Sequence, residues 1–463
     1  MGDVPFGFGR DDDSAPGEND GESVNQPVPA AGSNDPFAAL FGGGAPQDLG
    51  AALQRLGQLL SWQGGPVNWD LARDVARQAV SASGDRSVSG AQRQEVADAV
   101  RLAELWLDAA TALPAGATSA SAWSRAEWVE ATLPAWRSIV DPVAAKAVES
   151  MGAMLAGEGG AMSQLGAAPE QLQALLGASG PLQQMMTSIG GAMFGTQIGQ
   201  ALGSLATEVV GSTDVGLPLA PPGKAALLPQ NVTAFGEGLG VPDDQVRLYL
   251  ALREAAHHRL FVHVPWLRAH LIDAVSAYAR GISVDTSRLE EMVSRIDPTN
   301  PEAMQEALTG GLFEPEDTPE QKAALARLET ALALVEGWVD EVVDAAATPH
   351  LPSAGALRET VRRRRASGGP AEATFASLVG LELRPRRLRE AAALWNAVAE
   401  ARGIDGRDAL WAHPDLIPTG DDLDSPAEFA SGSASVPLDL SSLDDTAAPE
   451  DPGSARGTTD DPT

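Results

Sequence analysis

The stretch "LREAAHHRLFVHVPWLRAHL", residues 252–271, holds four of the chain's six histidines. It continues the segment "PDDQVRLYLALREAAHHRLF", which opens on Pro242 and two aspartates and meets no helix breaker before Pro265. Acids in a first turn complement the helix dipole, so one helix is predicted from the aspartates to the residues just before Pro265. Arg253, Glu254 and His257 then lie mid-helix. Residues four apart share a helix face, which places Arg253 and His257 one above the other with Glu254 beside them. This is the spacing of H-E-x-x-H, in which two histidines bind zinc and the glutamate is the general base. Here the first histidine is replaced by Arg253.

Outward from that helix, the chain of 463 residues is 44% hydrophobic, enough to bury a large core. It has no cysteine, which excludes disulfides, thiolate metal sites and cysteine nucleophiles and leaves His and carboxylate as the only metal ligands. The formal charge of −31 opposes nucleic-acid binding through a broad surface. That charge is concentrated at the ends. Residues 1–49 carry nine acids against Arg10, and residues 419–463 carry eleven against Arg456. Both segments are rich in Pro, Gly, Ser and Asp, a composition that cannot offset chain entropy by burial, so both are expected to be disordered tails. The N-terminus lacks the basic and apolar regions of a secretion signal, making the cytoplasm the expected compartment. The most apolar stretch, Gly190 to Gly211, is interrupted by Gln197, Gln200 and Glu208 and is not expected to span a membrane.

Between the tails the hydrophobic period is helical nearly throughout. In "SGAQRQEVADAVRLAELWLDAATAL", Val96, Ala99, Val100, Ala103, Trp106 and Leu107 share one side, Gln94, Asp98 and Arg101 oppose them, and Leu105 breaks the pattern. The next helix is read from "SAWSRAEWVEATLPAWRSIV" with Ser121 as its N-cap and Trp123, Trp128 and Trp136 as core residues. Gly191, Gly195, Gly199 and Gly203 line one helix face with hydrogens, which suits a close backbone approach, either inside the molecule or between copies of it. The proline-rich "STDVGLPLAPPGKAALLPQNV" admits one or two short strands. The expected fold is therefore mainly α with at most a few short strands. Its N-terminal helical part is read over 50–150, a Gly/Met-rich segment with a Pro-rich connection over 151–230, and the motif helices with Arg-rich C-terminal helices over 231–418.

The stretch "REAAHHRLFVHVPWLRAHL", together with "GTQIGQALGSLATEVVGSTDVGLPL", "LVEGWVDEVVDAA" and "GLELRPRRLREAAALWNAV", resembles the zincin-like metallopeptidase family common in actinobacteria, a former family of unknown function that carries a hydrolase label. The resemblance runs from about 50 to 415. It implies a zincin-like core, Glu254 as the catalytic glutamate, His257 as a zinc ligand and, on a downstream helix, Glu336 in "VEGW" as the third ligand. Arg253 stands where that family would have its first histidine.

A catalytic zinc wants three protein ligands and an open position. His257 and Glu336 supply two, and a guanidinium about 4 Å from a dication is repelled by several kcal/mol even at an effective dielectric near 20. Either Arg253 swings out and His258 or His263 substitutes as a ligand, or the site is metal-free and Arg253 pairs with Glu336 in the cation's place. The charge argument favours the second. His263 and His270 flank the Pro265 break as cap or surface groups, His350 and His413 read as loop residues, and a solvated helix face competes for Glu336. Nine arginines between Arg358 and Arg389 form a basic cluster, read as a solvated pair of helices or as a docking surface for the acidic tails or an acidic partner. Interleaved aromatics are missing apart from Phe375, so no nucleic-acid partner is expected. Two functions follow: a zinc-dependent peptidase, or a catalytically silent scaffold of the same fold that binds a peptide or protein, with homo-oligomers allowed.

Overall fold

The computed structural model describes residues 64–156, 181–280, 318–366 and 387–432, all within one compact unit, Leu59–Thr463. These residues form eleven α-helices and a two-stranded sheet. The helices are α1 Trp69–Ala82, α2 Gly90–Leu107, α3 Arg125–Ala156, α4 Pro181–Ala206, α5 Pro229–Gly236, α6 Asp243–His263, α7 Pro265–Arg280, α8 Pro319–Ala347, α9 Ala354–Ala366, α10 Leu388–Asp408 and α11 Pro426–Ser431. The strands are β1 Ser119–Ala122 and β2 Lys224–Leu227. The mainly α reading is right. The tail expected at 1–49 and residues 433–463 lie outside the described residues.

Local sequence sets most helix ends. Ser89 and Gln92 form a capping box on α2, and Thr318 and Gln321 form another on α8. The cap of α3 is Ser124, whose hydroxyl accepts from Glu127 N at 3.2 Å while Glu127 accepts from Ser124 N at 2.7 Å. Ser121, read as that cap, instead sits in β1 and pairs with Ala226. The four residues of β1 are small and show no alternation by which a sequence pattern would reveal them. β1 and β2 run parallel, which requires a long crossover, and α3 and α4 lie in the intervening chain. Gly211 bridges the other side of β2 through Leu227. That pairing brings the loop after α4 against the strand.

The glycine face of α4 lies on α1. A Cβ at Gly195 would stand 2.6 Å from Asn68 O, one at Gly199 2.5 Å from Ala72 O, and one at Gly203 2.6 Å from Ala79 Cβ. On α2 the buried set is Val96, Ala99, Val100, Ala103 and Leu107, with Leu105 exposed and Trp106 partly buried. Trp123, Trp128 and Trp136 are core residues as read. The ordered body also runs past the boundary drawn at 418. Leu423 and Ala430 are buried, and Arg387 and Arg402 bond the backbone at Gly420, Phe429 and Ala430. The acidic composition of 419–432 hides this packing because its apolar residues are few and widely spaced.

At the centre, α6 is buried on every side from Tyr249 to Leu260, and α8 from Ala331 to Asp340. A helix buried all round shows no amphipathic stripe, so its charged residues must find partners inside. Arg259 illustrates this. Its guanidinium bonds Glu104 Oε2 at 2.7 Å, Glu104 O at 2.5 Å, Asp108 Oδ1 at 2.7 Å and Leu113 O at 2.9 Å, tying α2 and the 113–117 loop to α6. Gly116 in that loop has no room for a Cβ, which would meet the backbone of His258 at 2.4 Å. After Val264, Pro265 starts α7. Trp266 Nε1 there donates to Trp411 O at 2.9 Å, which fastens the chain end to the core.

Candidate functional site

Two buried carboxylates mark the faces of α6. Glu254 points to β2 and the 211–213 loop. Its Oε1 accepts from Ser212 N at 3.3 Å, from Ala226 N at 3.1 Å and from the Ser212 hydroxyl, with His258 Nε2 at 3.2 Å. Its Oε2 accepts from Thr213 N at 3.1 Å and Thr213 Oγ1 at 2.6 Å. Six contacts saturate the roughly four acceptor positions of a carboxylate. Burial alone would raise its pKa, but bonding to His258, Ser212 and Thr213 brings it down to about 2. Gly211 makes room for this carboxylate, since a Cβ there would be 2.6 Å from Glu254 Oε2.

Glu336, on α8, meets a neighbouring face of α6. Arg253 Nη2 donates to its Oε2 at 2.6 Å, and Arg365 Nη2, from α9, donates to Oε1 at 2.8 Å. His257 Nε2 lies 3.2 Å from the same Oε1, and His257 Nδ1 lies 2.8 Å from Arg253 O. A carbonyl and a carboxylate both only accept, so in either tautomer the ring N–H donates to one of them. Burial opposes the charge on Glu336, yet Arg365, Arg253 and His257 hold its pKa well below the usual carboxylate range. Gly216, at φ +80°, is needed twice over: the backbone is left-handed, and a Cβ would stand 2.8 Å from Glu336 Oε1. The helix face that competed for Glu336 is thus not solvated; the residue is 1% exposed.

Val210, Thr213, Asp214, Leu250, Arg253, Glu254, His257 and Arg365 line a narrow cleft beside α6. Asp214 Oδ2 accepts from Val210 N at 3.0 Å and Arg364 Nη1 at 3.1 Å. Its pKa is lowered, because Arg364 and Arg365 outweigh the effect of burial. Arg358 and Arg362 both bind Asp340 Oδ2 at 2.6 Å. Arg358, Arg362, Arg364 and Arg365 are therefore turned inward, which corrects the solvated-helix reading for them, whereas Arg363 and Arg389 stay at the surface. Arg384 and Arg386 lie outside the described residues.

The structure thus brings Arg253, His257 and Glu336 together and places Glu254 and His258 on the neighbouring face of α6, with Glu254 lining the same cleft as Arg253 and His257. His263 stands at the end of α6, 3.3 Å from Ala115 O, and does not reach Glu336. His270 packs edge-on against Trp266, His350 stacks on Trp106, and His413 accepts from Asp415 N. Sequence reasoning missed Ser212, Thr213, Asp214 and Arg365. The first three stand in "GSTDVG", a run of small polar residues after a helix; Arg365 was visible only as one of four adjacent arginines.

Among the described residues no three His, Asp or Glu side chains converge in a way that could hold a metal ion. His257 and Glu336 fall one short of a catalytic zinc set, and two guanidinium groups stand on the shared carboxylate. These residues do not fit a zinc ion. Nor, among the described residues, is any helix long and apolar enough to cross a membrane.

The site therefore sits where the R-E-A-A-H segment of α6 packs against the buried Glu336 of α8. The family model for zincin-like metallopeptidases matches residues 67–430, and the chain belongs to that family. In shape it is similar to the crystal structure of a "putative hydrolase with a novel fold" from Chloroflexus aurantiacus, at a TM-score of 0.54 and 21% identity. The likeness covers 79% of this chain and 98% of that one and shows a shared fold. No curated protein matches the chain.

Proposed function

We propose that this chain is a zincin-family protein that works without a catalytic zinc ion, its cleft serving to bind a peptide or protein partner. The observation that carries the reading is the carboxylate of Glu336, which Arg253 holds at 2.6 Å and Arg365 at 2.8 Å. A guanidinium does not lose its proton at any working pH, so both charges are permanent. They supply to Glu336 and His257 the positive charge that a metal would otherwise bring. Glu254 is in this reading a positioning residue, spent on the 211–213 loop and β2.

Protein purified without chelator is expected to hold well under one zinc per chain by elemental analysis and to cleave no peptide. Arg253→His alone should leave zinc low, because Arg365 still covers Glu336. Arg253→His combined with Arg365→Gln should raise it, and Glu336→Ala in that background should remove it again. Stoichiometric zinc in the unmodified protein, lost on His257→Ala, would overturn the proposal and restore the enzyme.

A further inference from the structure

Helix α9 is held to the body in two different ways along its length. Its first two turns bury Ala354, Leu357 and Val361. Its last turn, Arg362 to Ala366, buries no residue and is fastened by charge: Arg362 to Asp340, Arg364 to Asp214 and Glu208 O, Arg365 to Glu336 Oε1 and Asp214 O. Arg364 also lies 5.8 Å from the Phe235 ring centre. Arg365 meets the same Glu336 oxygen as His257 and forms the wall of the cleft on the α9 side. We infer that the last turn of α9 is a salt-releasable latch that closes the cleft over His257 and Glu336.

Release is cheap for a specific reason. Withdrawing a partner from a buried carboxylate is costly when the charge is left alone. Here Glu336 keeps Arg253 at 2.6 Å, and Asp214 keeps the Val210 amide at 3.0 Å. The arginine side chains of the turn are partly exposed, 28% for Arg364 and 15% for Arg365, against 14% for Asp214 and 1% for Glu336, so their bonds are screened only by salt near molar strength, where the Debye length falls to about 3 Å. The apolar anchor at Leu357 and Val361 keeps α9 attached while its end lifts. The cleft is then reachable in the released state, and an acidic ligand that competes for these arginines would shift the population toward it. The latch rests on the contacts of α9, so it and the zinc-free reading are decided by separate measurements.

The test is the rate at which diethyl pyrocarbonate modifies His257 in the intact full-length chain, followed by peptide mass spectrometry. His413, 62% exposed, serves as the open reference. At low salt His257 should react far more slowly than His413. Molar sodium chloride should speed it, and Arg364→Gln/Arg365→Gln should speed it about tenfold at low salt, the factor that two partly exposed charge pairs contribute together. The same variant should show little further response to salt. Amide exchange should rise over 362–366 and stay slow over Tyr249–Leu260. A His257 rate that ignores both salt and the double substitution overturns the latch. So does a rate equal to that of His413 in the unmodified protein at low salt, or faster exchange in α6 alongside α9.

Discussion

Glu254 and Glu336 are both buried carboxylates at neighbouring faces of one helix, yet they are stabilised by different means. Glu254 is held by backbone amides, two hydroxyls and a histidine, which cost little to arrange because the 211–213 loop and β2 are already in place. Glu336 is held by two long cationic side chains, one from α6 and one from α9. The first arrangement is a property of the backbone path and resists replacement by any other side chain. The second is a property of two residue identities, and substitution can rewrite it. On the proposed reading, the Glu254 side fixes the 211–213 loop and β2 against α6, and the Glu336 side sets the charge beside the cleft.

The largest effects should come from removing either carboxylate. Glu254→Gln and Glu336→Gln should each cost about 3–5 kcal/mol in urea unfolding, the range for breaking a buried charged network. The comparison is sharpened by rescue. Replacing Arg253 and Arg365 by Met alongside Glu336→Gln should recover most of the loss, since no buried charge is then unpaired. No substitution of another charged side chain should recover Glu254→Gln, because its lost partners are mainly amides and hydroxyls. If charge removal rescues both or neither, the contrast between the two sides fails.

Acid should reveal the same asymmetry. Glu254 titrates near 2 in the folded protein against 4.5 for a free glutamate. Its folded pKa is depressed, so its stabilisation is complete above 4.5 and is lost as pH falls toward 2. The shift corresponds to roughly 3 kcal/mol. Stability measured against pH should fall across that window, and Glu254→Gln should reduce the slope without abolishing it, because Glu336 and Asp214 are depressed as well. An unchanged slope in the variant would mean that Glu254 is not held as described.

Away from the site, Gly195→Leu should cost about 1–3 kcal/mol by overpacking against Asn68 O, whereas Gly355→Ala, with open space around its Cβ, should cost nothing measurable. The smallest effect belongs to the ends. Deleting residues 1–45 and 433–463 should move the melting midpoint little, since their composition offers scant apolar surface. Extending the C-terminal deletion to residue 420 should be felt, because Leu423 and Ala430 are then lost from the core.

The sequence by itself determined the helical class, the span of α6 and the close glycine face of α4, because each follows from a helical period and its breakers, and it set Arg253 and His257 on one face because they are four apart; Glu336 entered only through the family resemblance. It also shows that α6 carries the run R-E-A-A-H, with Arg253 at its head. The tertiary structure alone decided that Glu254 turns to Ser212, Thr213 and Ala226, that Arg365 covers Glu336, and that residues 419–432 belong to the body. Those contacts join positions tens of residues apart. Local periodicity carries no information about which distant donor a buried charge will meet; only the packing of α6 against β2, α8 and α9 selects it.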